Sequence, residues 1–317
     1  MSPFHVQTPL IPSRPLSRLF GRRVWLKLDA VQPCGCYKIR GIGFACEEYV
    51  RRGAQRLLCS SGGNAGLAVA YAGRELGVSV TVIVPETTTE RAKELIGRED
   101  AEVVVYGSSW NESHEYALSR SAEETAYIHP FDDPLTWRGH ATVIDEVREA
   151  GLTPGAVVLS VGGGGLLCGV IEGLRRNDME NVPVVAVETV GADSLYQAVQ
   201  ADHLIELEAI TSIATTLGAK RVARQAFEYA KEKAVLSTVV DDRAAVDACI
   251  EFARDHRLIV EPACGAALAV IYEHDSARTR TRSTLNEISD REDILVIVCG
   301  GAGVTMEQLE GWRKVLR

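Results

Sequence analysis

The sequence predicts an α/β chain built on parallel sheets, and two observations carry that expectation. First, short β-branched runs such as "VSVTVIVP", "GAVVLSVGGGG" and "ILVIVCGGAG" are apolar at successive positions, so they are buried on both faces. Second, nearly every such run is followed by a helical pattern, the signature of βαβ crossovers. In chain order "RLLCSS" leads into "NAGLAVAYAGRELG", "VSVTVIVP" into "TERAKELIG", and "AEVVVYG" into "NESHEYALSRSAEE". Further on, "GAVVLSVGGGG" precedes "LLCGVIEGLRR", "VPVVAVETVG" precedes "ADSLYQAVQA", and "ILVIVCGGAG" precedes "TMEQLEGWRKVL". "HPFDDPLTW" interrupts the alternation near residues 129–137 and reads as a crossing between two domains. The polar, aperiodic stretch "HDSARTRTRSTLNEISDRED" reads as an exposed loop before the last strand.

The bulk numbers narrow the function classes. With 317 residues, 46% of them apolar and 24% charged, the chain has the profile of a soluble globular protein with a sizeable core. A net charge of −9, with no Lys/Arg-rich run or basic face, argues against nucleic acid as a partner. No stretch reaches 18 uninterrupted apolar residues, and the N-terminus lacks the apolar core and cleavage site of a secretory signal, so no membrane is expected. The eight cysteines do not form a disulfide scaffold, and Cys59, Cys168 and Cys299 lie inside apolar runs. Reduced thiols and a cytoplasmic location follow.

One segment, "PCGCYKIRG", places two cysteines just ahead of a lysine. Cys34 and Cys36 form C-x-C, no second close cysteine pair completes a zinc site, and the seven histidines show no H-x-x-x-H spacing. The lysine, Lys38, is the point of the segment. Three glycine-rich strand ends accompany it. Four consecutive glycines, Gly162 to Gly165, follow one strand, each costing roughly 0.5–1 kcal/mol relative to alanine where the chain is ordered. A plain turn needs one or two. Four suggest a loop whose bare N–H groups approach an anion, a phosphate, at a helix N-terminus; the alternative is a flexible strand-to-helix turn. The run fits neither G-x-G-x-x-G, because Leu167 and Cys168 stand at the third-glycine positions, nor the Walker A loop. In "CSSGGNAGLA" a strand ends at Ser60–Ser61 and Asn64 sits where a helix N-cap belongs, with a second N–H cradle as the functional reading. "VIVCGGAGVT" ends the last strand with Cys299, Gly300, Gly301 and Gly303, where open α/β sheets place ligands.

Taken together, these pieces resemble the tryptophan-synthase-β-like (fold type II) pyridoxal-phosphate enzymes. Within them, "QPCGCYKIRGIG", "CSSGGNAG", "FDDPLTWRGHA", "LSVGGGGLLCGV" and "EPACGAALA" resemble the L-serine dehydratase/L-threonine deaminase group and its serine dehydratase-like branch, over nearly the whole chain. The resemblance implies two open, mostly parallel twisted sheets flanked by helices. It divides them between a large cofactor-binding domain, 1–40 with 135–317, and a small inserted α/β domain, 41–134. It implies pyridoxal 5'-phosphate as cofactor, a potassium-type monovalent cation, a homodimer, and a small hydroxy amino acid as substrate, converted by α,β-elimination of water to a keto acid and ammonia.

Position by position, the resemblance makes Lys38 the Schiff-base lysine and proton shuttle, and puts Tyr37 where the family stacks a phenylalanine on the pyridine ring. Asn64 would bond the cofactor's phenolic oxygen, and the backbone of Ser61, Gly62, Asn64 and Ala65 would hold the substrate carboxylate. Gly162, Gly163, Gly164 and Gly165, with Leu166, would hold the phosphate. Thr216 matches a small residue on the other face of the ring, Cys299 would face the pyridine nitrogen, and Glu188 lies where related dehydratases place a carboxylate near a monovalent cation. A thiol near pKa 8.5 is mostly neutral at pH 7, so Cys299 favours an unprotonated ring.

This chain departs from the family at Cys34-Gly35-Cys36, where the pattern has Ser-Gly-Ser, and at Tyr37. Gly62 stands where serine racemases carry a catalytic serine; it has no proton to offer, which argues against racemisation. The chain ends soon after the last strand–helix unit, leaving no room for the regulatory domain of biosynthetic threonine deaminases. Rival readings are a β-replacement enzyme of the cysteine synthase kind and a dehydratase for another 3-hydroxy amino acid such as hydroxyaspartate. Outside the class stand a nucleotide-binding oxidoreductase with Glu188 as the ribose acid, and a cofactor-binding module without turnover.

Overall fold

The computed structural model describes residues 4–120, 122–232, 235–272 and 293–316. Of the polar stretch read as a loop before the last strand, all but Asp293 lie outside the described residues. The chain opens with β1 (Leu10–Ser13), α1 (Arg14–Phe20) and β2 (Arg23–Lys27), and α2 (Lys38–Arg51) follows a short turn. Next come β3 (Arg56–Cys59), α3 (Asn64–Leu76), β4 (Ser79–Val84), α4 (Glu90–Gly97), β5 (Glu102–Val105), α5 (Trp110–Ser119) and β6 (Thr125–Tyr127). These four strands form one parallel sheet in the order β5-β4-β3-β6.

The chain then runs through α6 (Pro134–His140), α7 (Thr142–Glu149), β7 (Ala156–Ser160), α8 (Gly165–Arg176), β8 (Val184–Thr189), α9 (Ser194–Ala201) and α10 (Arg224–Glu232). It ends with β9 (Val235–Val240), α11 (Asp242–His256), α12 (Pro262–Tyr272), β10 (Asp293–Ile297) and α13 (Met306–Val315). The second sheet has six strands in the order β1-β2-β10-β7-β8-β9, parallel except for the edge pair β1–β2. Its central strands β7, β8 and β10 are buried at every position, which explains their unbroken apolar sequences. The α/β expectation therefore holds, with two mostly parallel sheets. Strands β1, β2, β6 and β9 were not foreseen: β1, β6 and β9 lie at sheet edges, and β2, inside the large sheet, begins with charged Arg23 and ends with Lys27 and so is no unbroken apolar run.

One local expectation is corrected. β3 ends at Cys59, Gly63 occupies the cap of α3, and Asn64 is the first helical residue. Placing Asn64 one residue inside the helix frees its amide for partners across the cleft, whereas a capping side chain would fold back on its own helix. α2 bridges the two sheets: its Ile39, Ile42 and Cys46 join the core under the small sheet, while its other side lies against α6. A Cβ on Gly41 would come within 2.4 Å of the Thr136 carbonyl, so the α2–α6 crossing depends on bare backbone.

Candidate functional site

Three strand ends and the start of α2 converge on one cavity of about 820 Å³, at the carboxyl ends of both sheets, where such folds place ligands. Lys38, Ser61 to Ala65, Gly162 to Leu166, Thr216, Glu261 and Cys299 all line it. The sequence-predicted residues that are brought together are thus nearly the whole set.

Lys38 is positioned by stitching its segment to the end of β10. The Tyr37 N–H donates to the Cys299 carbonyl at 3.0 Å, the Gly301 N–H to the Gly35 carbonyl at 2.8 Å, and Cys36 bridges Gly300. The Lys38 Nζ donates to the Pro130 carbonyl at 2.7 Å. Burial pushes its pKa down to about 8, against the smaller opposing pull of the Cys36, Cys59 and Cys299 thiols. An ordinary lysine is almost wholly charged near neutral pH; the lowered pKa leaves part of the Lys38 amine neutral, the state a nucleophile needs. The Tyr37 ring lies beside it, 5.2 Å from Nζ to the centroid, and leans on His140 with ring centroids 4.9 Å apart.

The glycine run closes at the N-terminus of α8. Gly164 has φ +90°, and a Cβ on Gly163 would sit 2.2 Å from the Phe131 ring, so neither position has room for a side chain. No described residue accepts from the N–H groups of Gly162, Gly163, Gly164, Gly165 or Leu166. Five free amides at the positive end of a helix make an anion cup. The loop before α3 repeats the device: among the described residues the amides of Gly62, Asn64 and Ala65 have no acceptor, while the Gly63 N–H donates to Ser61 Oγ at 3.3 Å.

Sequence reasoning missed Glu261, the residue that ties these parts together. Its Oε2 accepts from Asn64 Nδ2 at 2.9 Å and from Thr216 Oγ1 at 3.0 Å, and its Oε1 accepts from the Gly303 N–H at 2.8 Å. Asn64 is held from its other end, its Oδ1 accepting from the Ala302 N–H at 3.2 Å. Burial raises the Glu261 pKa; the Gly303, Asn64 and Thr216 donors oppose this without overcoming it. The available signal was one acid inside the apolar stretch "LIVEPACGAALAVIY", immediately before a helix.

Cys299 is buried, and a hydrogen bond with Cys264, followed by burial, pushes its thiol well above the usual range, so it is neutral. Glu188 stands apart from the cavity-lining residues. Its carboxyl accepts the N–H groups of Leu195 and Tyr196 at 2.9 and 2.7 Å, at the start of α9, and burial raises its pKa strongly. Among the described residues, no group of three or more His, Cys, Asp or Glu is arranged to hold a metal ion. All eight cysteines are free and buried.

A cavity at the strand ends that joins a half-buried amine of lowered pKa to an anion cup defines a cofactor-dependent enzyme site. The model of the pyridoxal-phosphate dependent enzyme family matches residues 1–300, and the chain belongs to that family. It is 44% identical over 317 residues to human L-serine dehydratase/L-threonine deaminase, covering 99% of this chain and 96% of the relative. It is 47% identical over 310 residues to the mouse serine dehydratase-like protein, covering 97% and 94%. Among solved structures, a fungal L-serine ammonia-lyase from Rhizomucor miehei superposes with a TM-score of 0.91 at 35% identity, covering 98% of each chain. The residues present fit pyridoxal phosphate: five unpartnered amides suit its phosphate, the Lys38 amine suits its aldehyde, and a neutral thiol in the cavity suits a pyridine nitrogen.

Proposed function

We propose that the protein is an L-serine/L-threonine ammonia-lyase that eliminates water from a 3-hydroxy amino acid, giving a keto acid and ammonia. One observation carries the reading: the half-buried, partly neutral Lys38 amine shares its cavity with two separate cradles of free amides, one for each anion of a phosphorylated cofactor and an amino acid. Pyridoxal phosphate, when bound, supplies an electron sink for the pair left on the α-carbon as its proton departs.

The chain's own groups do the rest. Gly162 to Gly165 and Leu166 would hold the phosphate, Lys38 would hold the aldehyde carbon, Asn64 would bond the phenolic oxygen, and Tyr37 and Thr216 would flank the ring. Ser61, Gly62, Asn64 and Ala65 would orient the substrate carboxylate through their backbone, fixing which bond to the α-carbon is broken. Lys38 Nζ then takes the α-proton, a transfer helped by a pKa close to neutrality. Cys299, being neutral, would not hold the pyridine nitrogen protonated, and a weaker electron sink would suit loss of a β-hydroxyl.

The reading includes a monovalent cation near Glu188, a buried carboxyl that among the described residues has two backbone N–H donors and no cationic side chain as partner; a cation beside it would favour its charged form. It also includes a homodimer in the cytoplasm, and the division into 1–40 with 135–317 and an inserted 41–134, which the two separate sheets support. Among the described residues no helix is long and apolar enough to cross a membrane.

The test is direct. The purified protein should carry the visible absorption band of a lysine-bound cofactor and release keto acid from L-serine or L-threonine, and Lys38→Ala should lose both. Borohydride followed by peptide mapping should label Lys38; a label on another lysine would overturn the assignment.

A further inference from the structure

Gly62 is not among the residues with positive φ, so backbone conformation does not demand a glycine there. Space does. A Cβ at position 62 would lie 2.5 Å from Thr88 Oγ1 and 2.7 Å from Thr88 Cγ2. Thr88 closes the turn that follows β4, its N–H donating to the Pro85 carbonyl at 3.0 Å, directly before Thr89, which caps α4. This turn lays the Thr88 side chain over the bare Cα of Gly62, in the volume a side chain at 62 would have filled. Thr88, Gly62 and Lys38 line the same cavity, and no described residue hydrogen-bonds the Thr88 hydroxyl. The Gly62 N–H beside it is equally without a partner. A free hydroxyl next to a free amide on a cavity wall is a two-donor surface for an oxygen acceptor.

We propose that Thr88 is a substrate-contacting, specificity-determining residue whose Oγ–H donates to an oxygen of the amino acid seated over Gly62. The acceptor is either the α-carboxylate or the side-chain hydroxyl; both offer the same chemistry. The inference rests on the proposed ammonia-lyase reading and adds to it a residue 26 positions away from the glycine it covers.

The experiment uses the cofactor-loaded enzyme and the variants Thr88→Val, which keeps shape and removes the hydroxyl, and Thr88→Ser, which keeps the hydroxyl. Thr88→Val should raise KM for L-serine about fivefold to tenfold, the size of one hydroxyl–oxygen hydrogen bond, while Thr88→Ser stays within about twofold. Spectral titration with L-alanine, which has a carboxylate and no hydroxyl, identifies the acceptor. Weakening of alanine binding by Thr88→Val assigns the contact to the carboxylate; loss confined to serine assigns it to the side-chain oxygen. A Cβ at position 62 displaces the hydroxyl, so in a Gly62→Ala background the Thr88→Val effect should shrink to less than about twofold. Unchanged serine KM and alanine binding in Thr88→Val, with the parent active and carrying its visible band, would overturn the role of Thr88 alone. A parent without band or turnover would instead overturn the ammonia-lyase reading.

Discussion

Two polar networks built around buried carboxylates, one of them anchored on α2, follow opposite electrostatic plans. In the first, Arg40 donates from Nε to Asp29 Oδ2 at 2.6 Å and from Nη1 to Glu146 Oε1 at 2.5 Å, and Lys27 Nζ completes the group by pairing with Glu146. Two cations face two carboxylates, and Thr8 fills remaining valences, its hydroxyl donating to Asp29 Oδ1 at 2.8 Å and its carbonyl accepting from Lys27 at 2.6 Å. In the second, Glu261 faces only neutral donors. The first network is charge-balanced and anchors the helix that begins with Lys38. The second places one carboxyl among neutral donors, beside the cavity that Lys38 also lines.

The pKa directions follow that difference. Burial pushes Glu146 up, but hydrogen bonds and charge from Arg40, then Lys27, outweigh it and hold the carboxyl below its ordinary value. Glu261 meets the same burial without a cation and ends raised. The two therefore act on stability with opposite signs. The Glu146 contribution is fully present above the usual carboxylate pKa and is lost as pH falls through its lowered one. The Glu261 contribution is present below the usual carboxylate pKa and is lost as pH rises through its raised one.

The largest break in the comparison is Arg40→Leu. It leaves Asp29 and Glu146 buried with one cation between them and should destabilise by about 3–5 kcal/mol, read by urea denaturation. Glu261→Gln comes next: an amide in place of the carboxylate confronts donor with donor at one oxygen. We expect roughly a tenfold loss of kcat/KM and weaker cofactor binding, equivalent to about 1–3 kcal/mol of mismatched hydrogen bonding. The same variant sharpens the pH argument. As pH rises from the usual carboxylate range through the raised Glu261 value it should lose less stability than the parent, measured as Tm along that rise, because the group that ionises unfavourably has gone. A parallel slope in both proteins would refute the assigned sign. Smallest is Cys299→Ser, which exchanges one neutral partner for another and should change kcat by only a few-fold, with the visible band kept. A thiol reagent should find almost no fast-reacting cysteine in the native protein and eight after unfolding, since every thiol is buried.

What was legible beforehand was whatever a short segment writes into itself. Lys38, the Gly162–Gly165 cup, the Ser61–Ala65 loop and Cys299 each sit at a strand end or helix start, and backbone chemistry at such places depends on a few consecutive residues. The α/β alternation was legible for the same reason: buried parallel strands are continuous apolar runs. Asn64 was misread by one position, as a cap, because the true partner of its amide lies across the cleft.

Amino-acid order alone therefore determined the class of fold and the chemistry of the separate pieces, because periodicity and glycine placement are local properties. Only the tertiary structure decided that Glu261 would clasp Asn64 from 197 residues away, that Arg40 would be neutralised by Glu146 at a separation of 106, and that Thr88 would cover Gly62. Contacts of that kind arise when packing brings distant side chains within hydrogen-bond reach, and the spacing of residues along the chain holds no record of them.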